Sequence, residues 1–554
     1  MKTAILILAS ALLLAETCPG AETGLRPTPA QLAYMRRGII GIVHFGLNTY
    51  TDQEWGYGDA DPKLFNPSRL DAAQWVRAAK DGGLNGLVLV AKHHDGFCLW
   101  PSALNADYTV ANTPWKGGRG DLVADLAKAC REQGMAFGVY LSPWDRHQAE
   151  YARPAYVDYF HGQWDDILAH YGEIAEIWLD GANGGDGWYG GAKEKRTIPK
   201  DYYKLDWLQE KLRRLHPMAV AFGGKGESTT GWCGNESGFN AETCRHDKGP
   251  FWRTVEADTP FRHSWFWHPY DTPKSLKALV GIYFNCVGRN AVLDLGLAPN
   301  RDGLLGEDDV KRLREFGDYI RAFEAMDLAA GARRDRSADG RTVTLSLAGE
   351  AAFNAVDLGE NVANGQRVDA FRVEAKSGDA WQEIARGTTI GFRRILRLGR
   401  EVRASAVRLV VTDSVGDPEI SSFKLRVAAD VPEEHAVKGL DYHPADALSV
   451  AVPEDASLVN IGPTSGDLTT SGFTYVPPKS GKGLMDRYSV DVVEDWAKGW
   501  RHVKDGEFGN MKANPIPQTV RFDRPVTCKR IRINAARGLD GTPRLTAEQI
   551  DLIK

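Results

Sequence analysis

Between about residues 36 and 330, short apolar runs alternate with amphipathic segments. GIIGIVHF (38–45) is followed by LDAAQWVRAAKDGG, and LNGLVLVAKHHDG (84–96) by DLVADLAKACREQG. MAFGVYLSPWD (135–145) precedes a helical stretch rich in Tyr and Trp, and IAEIWLDGANG (174–184) comes next. KLDWLQEKLRRLHP then leads to MAVAFGG (218–224), and RHSWFWHP (262–269) and NAVLDLGLAP (290–299) are the later runs. Apolar runs of strand length joined by helical patterns predict a parallel sheet covered by helices. Nearly three hundred residues of this pattern suit a closed (β/α)8-type barrel, placed at 30–333. An open doubly wound sheet is the alternative. Its nucleotide-binding form loses ground because no GxGxxG or GxxxxGK[ST] loop follows the first run. Beyond about residue 335 the pattern shortens. RTVTLSL, AFRVEAK, RRILRLG and AVRLVV, separated by Gly, Asp and Asn turns, predict an all-β sandwich at 334–430. FTYVPP, RYSVDVV, QTVRF and KRIRINA predict a second all-β sandwich unit at 440–554.

The N-terminus, MKTAILILASALLLAETCPGAETG, adds a compartment. Lys2 gives a charged start, and Ala4 to Ala15 is an apolar run of signal-peptide length, too short to span a bilayer. Residues 1–21 are therefore read as a signal peptide, and the chain is expected to be exported to the periplasm or the exterior. Cys18 raises a lipoprotein alternative, which Glu16 and Thr17 fit poorly. No later segment reads as a membrane span. A net charge of −5 over 554 residues gives no reason to expect nucleic acid or an acidic membrane surface as partner. The seven cysteines form no CxxC pair, which argues against a disulfide scaffold or a zinc site; Cys233 and Cys244 could pair or equally stay free buried thiols. The 16 Trp are the compositional hint of chemistry, because indole faces stack on sugar rings as well as filling cores.

Polar and aromatic residues gather where the apolar runs end: His44, His93 and His94, Tyr140 and Asp145, Asp180. A parallel barrel brings all its strand C-termini to one face, so these separate segments point to one site. Glycoside hydrolysis needs two carboxyl groups, one to attack or activate water and one to protonate the leaving oxygen. Asp180, closing IWLDG, and Glu236, in the Gly-rich GWCGNESG, are candidates for the pair. No Gly-elbow serine and no Cys/His arrangement competes. KHHDGF could bind metal, but adjacent histidines on a strand point to opposite faces, and no third ligand stands at zincin spacing. These residues leave a glycosidase, another barrel chemistry and a metal site open. Glu242 and Glu256 compete with Glu236, and Glu256 is expected to position Arg262 or the substrate. Trp265, Phe266 and Trp267 alternate, so one or two of them should face the pocket and the other should pack.

HFGLNTYTDQEWGYG, KHHDGFCLWPS, GVYLSPWD, IWLDGANG, GNESG and LDLGLAPNRDGLL, in that order, resemble the α-L-fucosidases of glycoside hydrolase family 29. The resemblance implies a (β/α)-type barrel, retaining double displacement, no catalytic cofactor, and fucosylated oligosaccharides or glycoconjugates as substrates. It matches Asp180 to the nucleophile. Glu236 matches the acid/base of the subgroup that prefers α-1,3- and α-1,4-linked fucose, which EWGYG and SPWD also favour. His44, Glu54, Trp55, His93, His94, Tyr140, Trp178 and Trp265 match the fucose pocket. Histidines can hydrogen-bond ring hydroxyls, and Trp faces can receive the C6 methyl. An α-L-galactoside specificity and a non-catalytic glycan-binding barrel are the alternatives. Residues 472–554 resemble the later part of discoidin-like carbohydrate-binding modules, which admits a structural calcium there; their usual opening half is not recognisable.

Overall fold

The computed structural model describes residues 25–432 apart from 183–189, 191–193, 195 and 270, and residues 448–553 apart from short stretches at 452–456, 464–465, 479–482, 509–510, 512–516, 540–544 and 547–548. The signal-peptide segment and Cys18 lie outside the described residues.

Eight parallel strands close a barrel in sequence order: β1 (Ile39–Val43), β2 (Gly86–Lys92), β3 (Ala136–Leu141), β4 (Glu176–Trp178), β5 (Val220–Phe222), β6 (Thr229–Trp232), β7 (Arg253–Pro260) and β8 (Val292–Leu297). Along β1 and β2, Ile40, Ile42, Val88 and Val90 fill the interior, while Ile39, Val43, Leu87 and Leu89 join the core beneath the helices. Both faces of each strand are apolar for that reason, which is what the continuous runs encode. The amphipathic segments form the covering helices, and the acids that precede two of them cap their first turns. Asp71 accepts from the Gln74 N–H at 3.0 Å, and Asp121 accepts from the Ala124 N–H at 2.9 Å.

Two strand expectations change. RHSWFWHP is a loop that follows β7, because Glu54 takes the Trp265 and Phe266 N–H groups that a strand neighbour would need. The strand in its place is the more polar RTVEADTP, and β6 (TTGW) was too short and too Gly-flanked to stand out.

After the barrel come β9 (Arg333–Arg336), β10 (Thr342–Glu360), β11 (Val368–Ser377), β12 (Ala380–Gly387), β13 (Arg394–Ser414) and β14 (Ile420–Arg426). They form one antiparallel sheet, whose long central pair β10 and β13 carries register irregularities near Ser346 and Phe353. The apolar residues of this sheet enclose a core of their own. The last unit is a two-layer sandwich. One layer is β15 (Leu448–Ala451), β16 (Leu458–Pro463), β21 (Arg530–Gly538), β18 (Met485–Val493) and β19 (Arg501–Glu507). The other layer is β20 (Gln518–Cys528), β17 (Leu468–Tyr475) and β22 (Ile550–Ile553). Phe473 and Val520 from one layer meet Tyr488, Val490 and Ile531 from the other. Among the described residues no helix is long and apolar enough to cross a membrane.

Candidate active site

The inward positions of a barrel strand repeat every second residue, and the site is the top of that register. On β1 the inward series Ile40, Ile42 ends at His44, and on β4 Glu176 and Trp178 are followed by Asp180. On β7 Glu256 is followed by Asp258. The pocket at the strand C-termini is lined by Asp180, Glu236, His44, Glu54, Trp55, His93, His94, Tyr140, Trp178 and Trp265, all ten residues singled out in the sequence. Ile42, Ala182 and Asp258 line it as well. Asp258 was legible in principle, since it lies two residues beyond Glu256 on the same strand face.

His93 and His94 both line the pocket, against the expectation that neighbours on a strand diverge. The β2–β3 register slips between Val90 and Lys92, and β2 ends at Lys92, so the two histidines sit in the turn that follows. His94 Nδ1 lies 2.7 Å from Ser142 Oγ, and that hydroxyl donates to the Trp144 carbonyl at 2.7 Å. The His94 nitrogen is then the donor, and in a neutral ring its Nε2 faces the pocket as an acceptor. Burial lowers His44 to about 3 and holds His93 well below the ordinary histidine range. Both rings are neutral near pH 7, so each offers one donor and one acceptor. Buried His93 Nδ1 has no hydrogen-bond partner among the described residues.

The two carboxyl groups stand in different settings. Asp180 accepts from Tyr140 Oη at 2.9 Å on one oxygen and from the Ala182 N–H at 2.6 Å on the other, with His94 Nε2 at 3.7 Å. Both oxygens are thereby fixed in one plane at the barrel mouth. Glu236 is buried and accepts from Trp265 Nε1 at 2.9 Å. Burial first, and then the nearby Asp258 carboxyl, hold Glu236 well above the usual carboxylate range. Asp258 is itself raised by burial, and Trp232 Nε1 donates to it at 2.6 Å.

Glu54 fixes the opposite wall, taking the Trp265 N–H at 2.9 Å and the Phe266 N–H at 3.2 Å. His268, another residue the sequence reading passed over, clamps Glu54 at 2.7 Å and Asp52 at 2.5 Å. Trp265 lies against β8 only because Gly296 carries no side chain; a Cβ there would meet the indole at 2.6 Å. Phe266 packs on His44 and His93, and Trp267 turns away toward Arg301. Trp178 lines the pocket with little free face, since Phe222 stacks on it at 3.9 Å and Tyr140 at 5.2 Å.

One expectation fails here. Glu256 does not meet Arg262. It lies deeper in the barrel, where it accepts from Tyr34 and, at 2.7 Å, from Trp178 Nε1. Arg262 pairs with Asp309 at 2.8 Å instead. Glu242 points outward, 64% exposed, with Arg289 at 3.5 Å. Cys233 and Cys244 are both free thiols.

The comparisons with known proteins bear on this constellation. Residues 32–324 match the family model for alpha-L-fucosidase. The chain belongs to the α-L-fucosidase family. It is 35% identical to alpha-L-fucosidase 1 of Arabidopsis thaliana over 72% of this chain and 87% of that one. Among solved structures it is similar to a glycoside hydrolase 29 family member from an unknown rumen bacterium, with a TM-score of 0.71 and 35% identity over 96% of this chain and 100% of that one. It also resembles a Ruminococcus gnavus fucosidase in complex with fucose, with a TM-score of 0.66 and 27% identity over 75% of this chain and 98% of that one. The chain is thus a glycoside hydrolase of the α-L-fucosidase type.

Proposed function

We propose that this α-L-fucosidase is a retaining exo-enzyme that removes terminal α-1,3- and α-1,4-linked L-fucose from glycans. The observation that carries the assignment is the contrast between two carboxyl groups in one pocket. Asp180 is held by donors on both oxygens, whereas burial, and then the nearby Asp258, hold Glu236 well above the usual carboxylate range. In the first step Asp180 attacks C1 while Glu236 gives its proton to the glycosidic oxygen, and the aglycone leaves as an alcohol. Glu236, now a carboxylate, takes a proton from water as that water attacks C1 of the fucosyl ester, and α-L-fucose and free Asp180 result. His44, His93 and His94 bind ring hydroxyls, Glu54 and Trp55 close the opposite side, and the exposed part of Trp265 receives the C6 methyl.

The 1,3/1,4 preference rests on the resemblance of EWGYG, SPWD and GNE to that subgroup. Export by the N-terminal segment and a discoidin-like origin for the last sandwich belong to the same proposal. No catalytic cofactor enters it. A structural calcium in the last sandwich is the one metal it admits; among the described residues no group of three or more His, Cys, Asp and Glu side chains is placed to hold an ion, and no step is derived through one.

The test is leaving-group dependence. Glu236→Ala should lose far more activity on a fucosylated oligosaccharide than on an activated aryl fucoside, which needs little protonation to leave. Azide should restore part of the loss and yield α-fucosyl azide, because it attacks the same fucosyl ester that water does. The same signature in Glu242→Ala or Asp258→Ala instead would move the acid/base role away from Glu236.

A further inference from the structure

A second cavity adjoins the pocket. It lies between the barrel mouth and the last sandwich, encloses ≈ 310 Å³, and shares Glu54 and Trp55 with the pocket. Its far wall comes from the sandwich alone, from the segments 504–508 and 517–522. Trp265 relates it to the chemistry. The indole N–H is on Glu236, the backbone N–H is on Glu54, and the preceding Ser264 lines the cleft. The acid and the cleft thus stand one residue apart.

The joint between the two domains is built around one arginine. Arg146 has a side chain with 0% exposure and pairs with Glu507 of β19 at 2.8 Å. Its guanidinium also donates to the Gly56 carbonyl and lies 4.7 Å from the Tyr57 ring and 4.9 Å from the Trp144 ring. Its backbone N–H donates to the His94 carbonyl at 2.8 Å. Sandwich, cleft floor and pocket wall therefore share one fixed point. On the sandwich side, Lys504 Nζ donates to the Arg521 carbonyl at 3.0 Å, which holds β19 and β20 together at the cleft edge.

The pocket holds one terminal sugar, so the saccharide that carried it has to lie outside. We propose that the cleft is the subsite for that saccharide, and that the last sandwich recognises the leaving group of the reaction rather than a separate glycan. The ligand is a neutral oligosaccharide, whose hydroxyls meet the polar side chains of Lys504, Asp505 and Gln518, and whose size fits a site of this volume. The assignment rests on the fucosidase reading above. The competing location is on the other side of Glu236, where Trp232 is 43% exposed while its indole N–H is tied to Asp258. An exposed indole so held is a stacking surface.

The experiment compares Lys504→Ala and Gln518→Trp, which fills the cleft, with the unaltered full chain. The quantity read is the ratio of kcat/KM on an α-1,3- or α-1,4-fucosylated trisaccharide to kcat/KM on an aryl α-L-fucoside. The ratio should fall about tenfold in the two cleft variants, the scale of one or two lost polar contacts. A folding defect of the barrel lowers both substrates and leaves the ratio in place. Calorimetric binding of the defucosylated disaccharide, weakened by Gln518→Trp, is the second readout. An unchanged ratio in both cleft variants overturns the cleft as the leaving-group subsite. Failure of the unmodified enzyme to release fucose from either substrate overturns the fucosidase reading itself, and this inference with it.

Discussion

Glu507→Ala removes the carboxylate 2.8 Å from Arg146 and leaves a guanidinium with no exposed side-chain surface. Breaking one partner out of a buried pair costs about 3–5 kcal/mol, because the remaining charge stays desolvated. The lower end, about 3 kcal/mol, applies here for two reasons. Glu507 is itself 10% exposed, so water reaches the vacated space, and Arg146 keeps the Gly56 carbonyl and its two ring contacts. The second partner of Glu507, Arg487 at 3.4 Å, is one-third exposed and adds less than about 1 kcal/mol. Urea unfolding followed by Trp fluorescence checks this, and a chain with several cores should show more than one transition. The loss should appear in the transition that undocks the last sandwich. Removing both partners, with Arg146→Met and Glu507→Met together, should recover most of it, since no unpaired charge remains. A loss below about 1 kcal/mol for Glu507→Ala would refute the reasoning and class the pair with surface ion pairs.

Tyr140→Phe removes a 2.9 Å hydrogen bond to Asp180; a bond to a charged group is worth about 1.5–3 kcal/mol, so kcat/KM on an aryl fucoside should fall roughly ten- to a hundredfold, and an unchanged value contradicts the role of Tyr140. Asp258→Asn takes away a like charge that raises Glu236, so the alkaline limb of the kcat/KM profile should move to lower pH; a limb that stays or moves up contradicts the coupling. Burial alone would lower His268, but its hydrogen bonds to Asp52 and Glu54 raise it to about 10. Stability from this triad is then complete below the ordinary histidine pKa near 6.5 and lost as pH rises through about 10. His268→Gln should flatten the stability profile over that window, and an unaltered slope contradicts the triad.

The barrel was legible because its long strands are apolar on both faces and its helices amphipathic; β6, with four residues TTGW, offered no such run. Asp180 was legible because it continues the inward series of β4 past Trp178. Glu256 misled because an acid on a strand looks like chemistry, whereas here it accepts from Tyr34 and Trp178 inside the barrel. The histidine pair was misjudged because a register slip is a relation between two strands and leaves no mark in either alone. His268 and Arg146 could not be found by spacing. Each acts through partners more than 85 residues away in sequence, Asp52 and Glu54 for one and Gly56 and Glu507 for the other.

The central claim is that Asp180 forms the covalent fucosyl-enzyme. A 2-deoxy-2-fluoro-α-L-fucosyl donor with a good leaving group slows hydrolysis of the ester more than its formation, so the adduct accumulates and can be located by peptide mass spectrometry. The adduct is expected on the peptide that carries Asp180, at one per chain, and should be absent from Asp180→Asn. An adduct on Glu236, Asp258 or any other residue, or turnover of the donor with release of β-fluorofucose and no adduct, would contradict it.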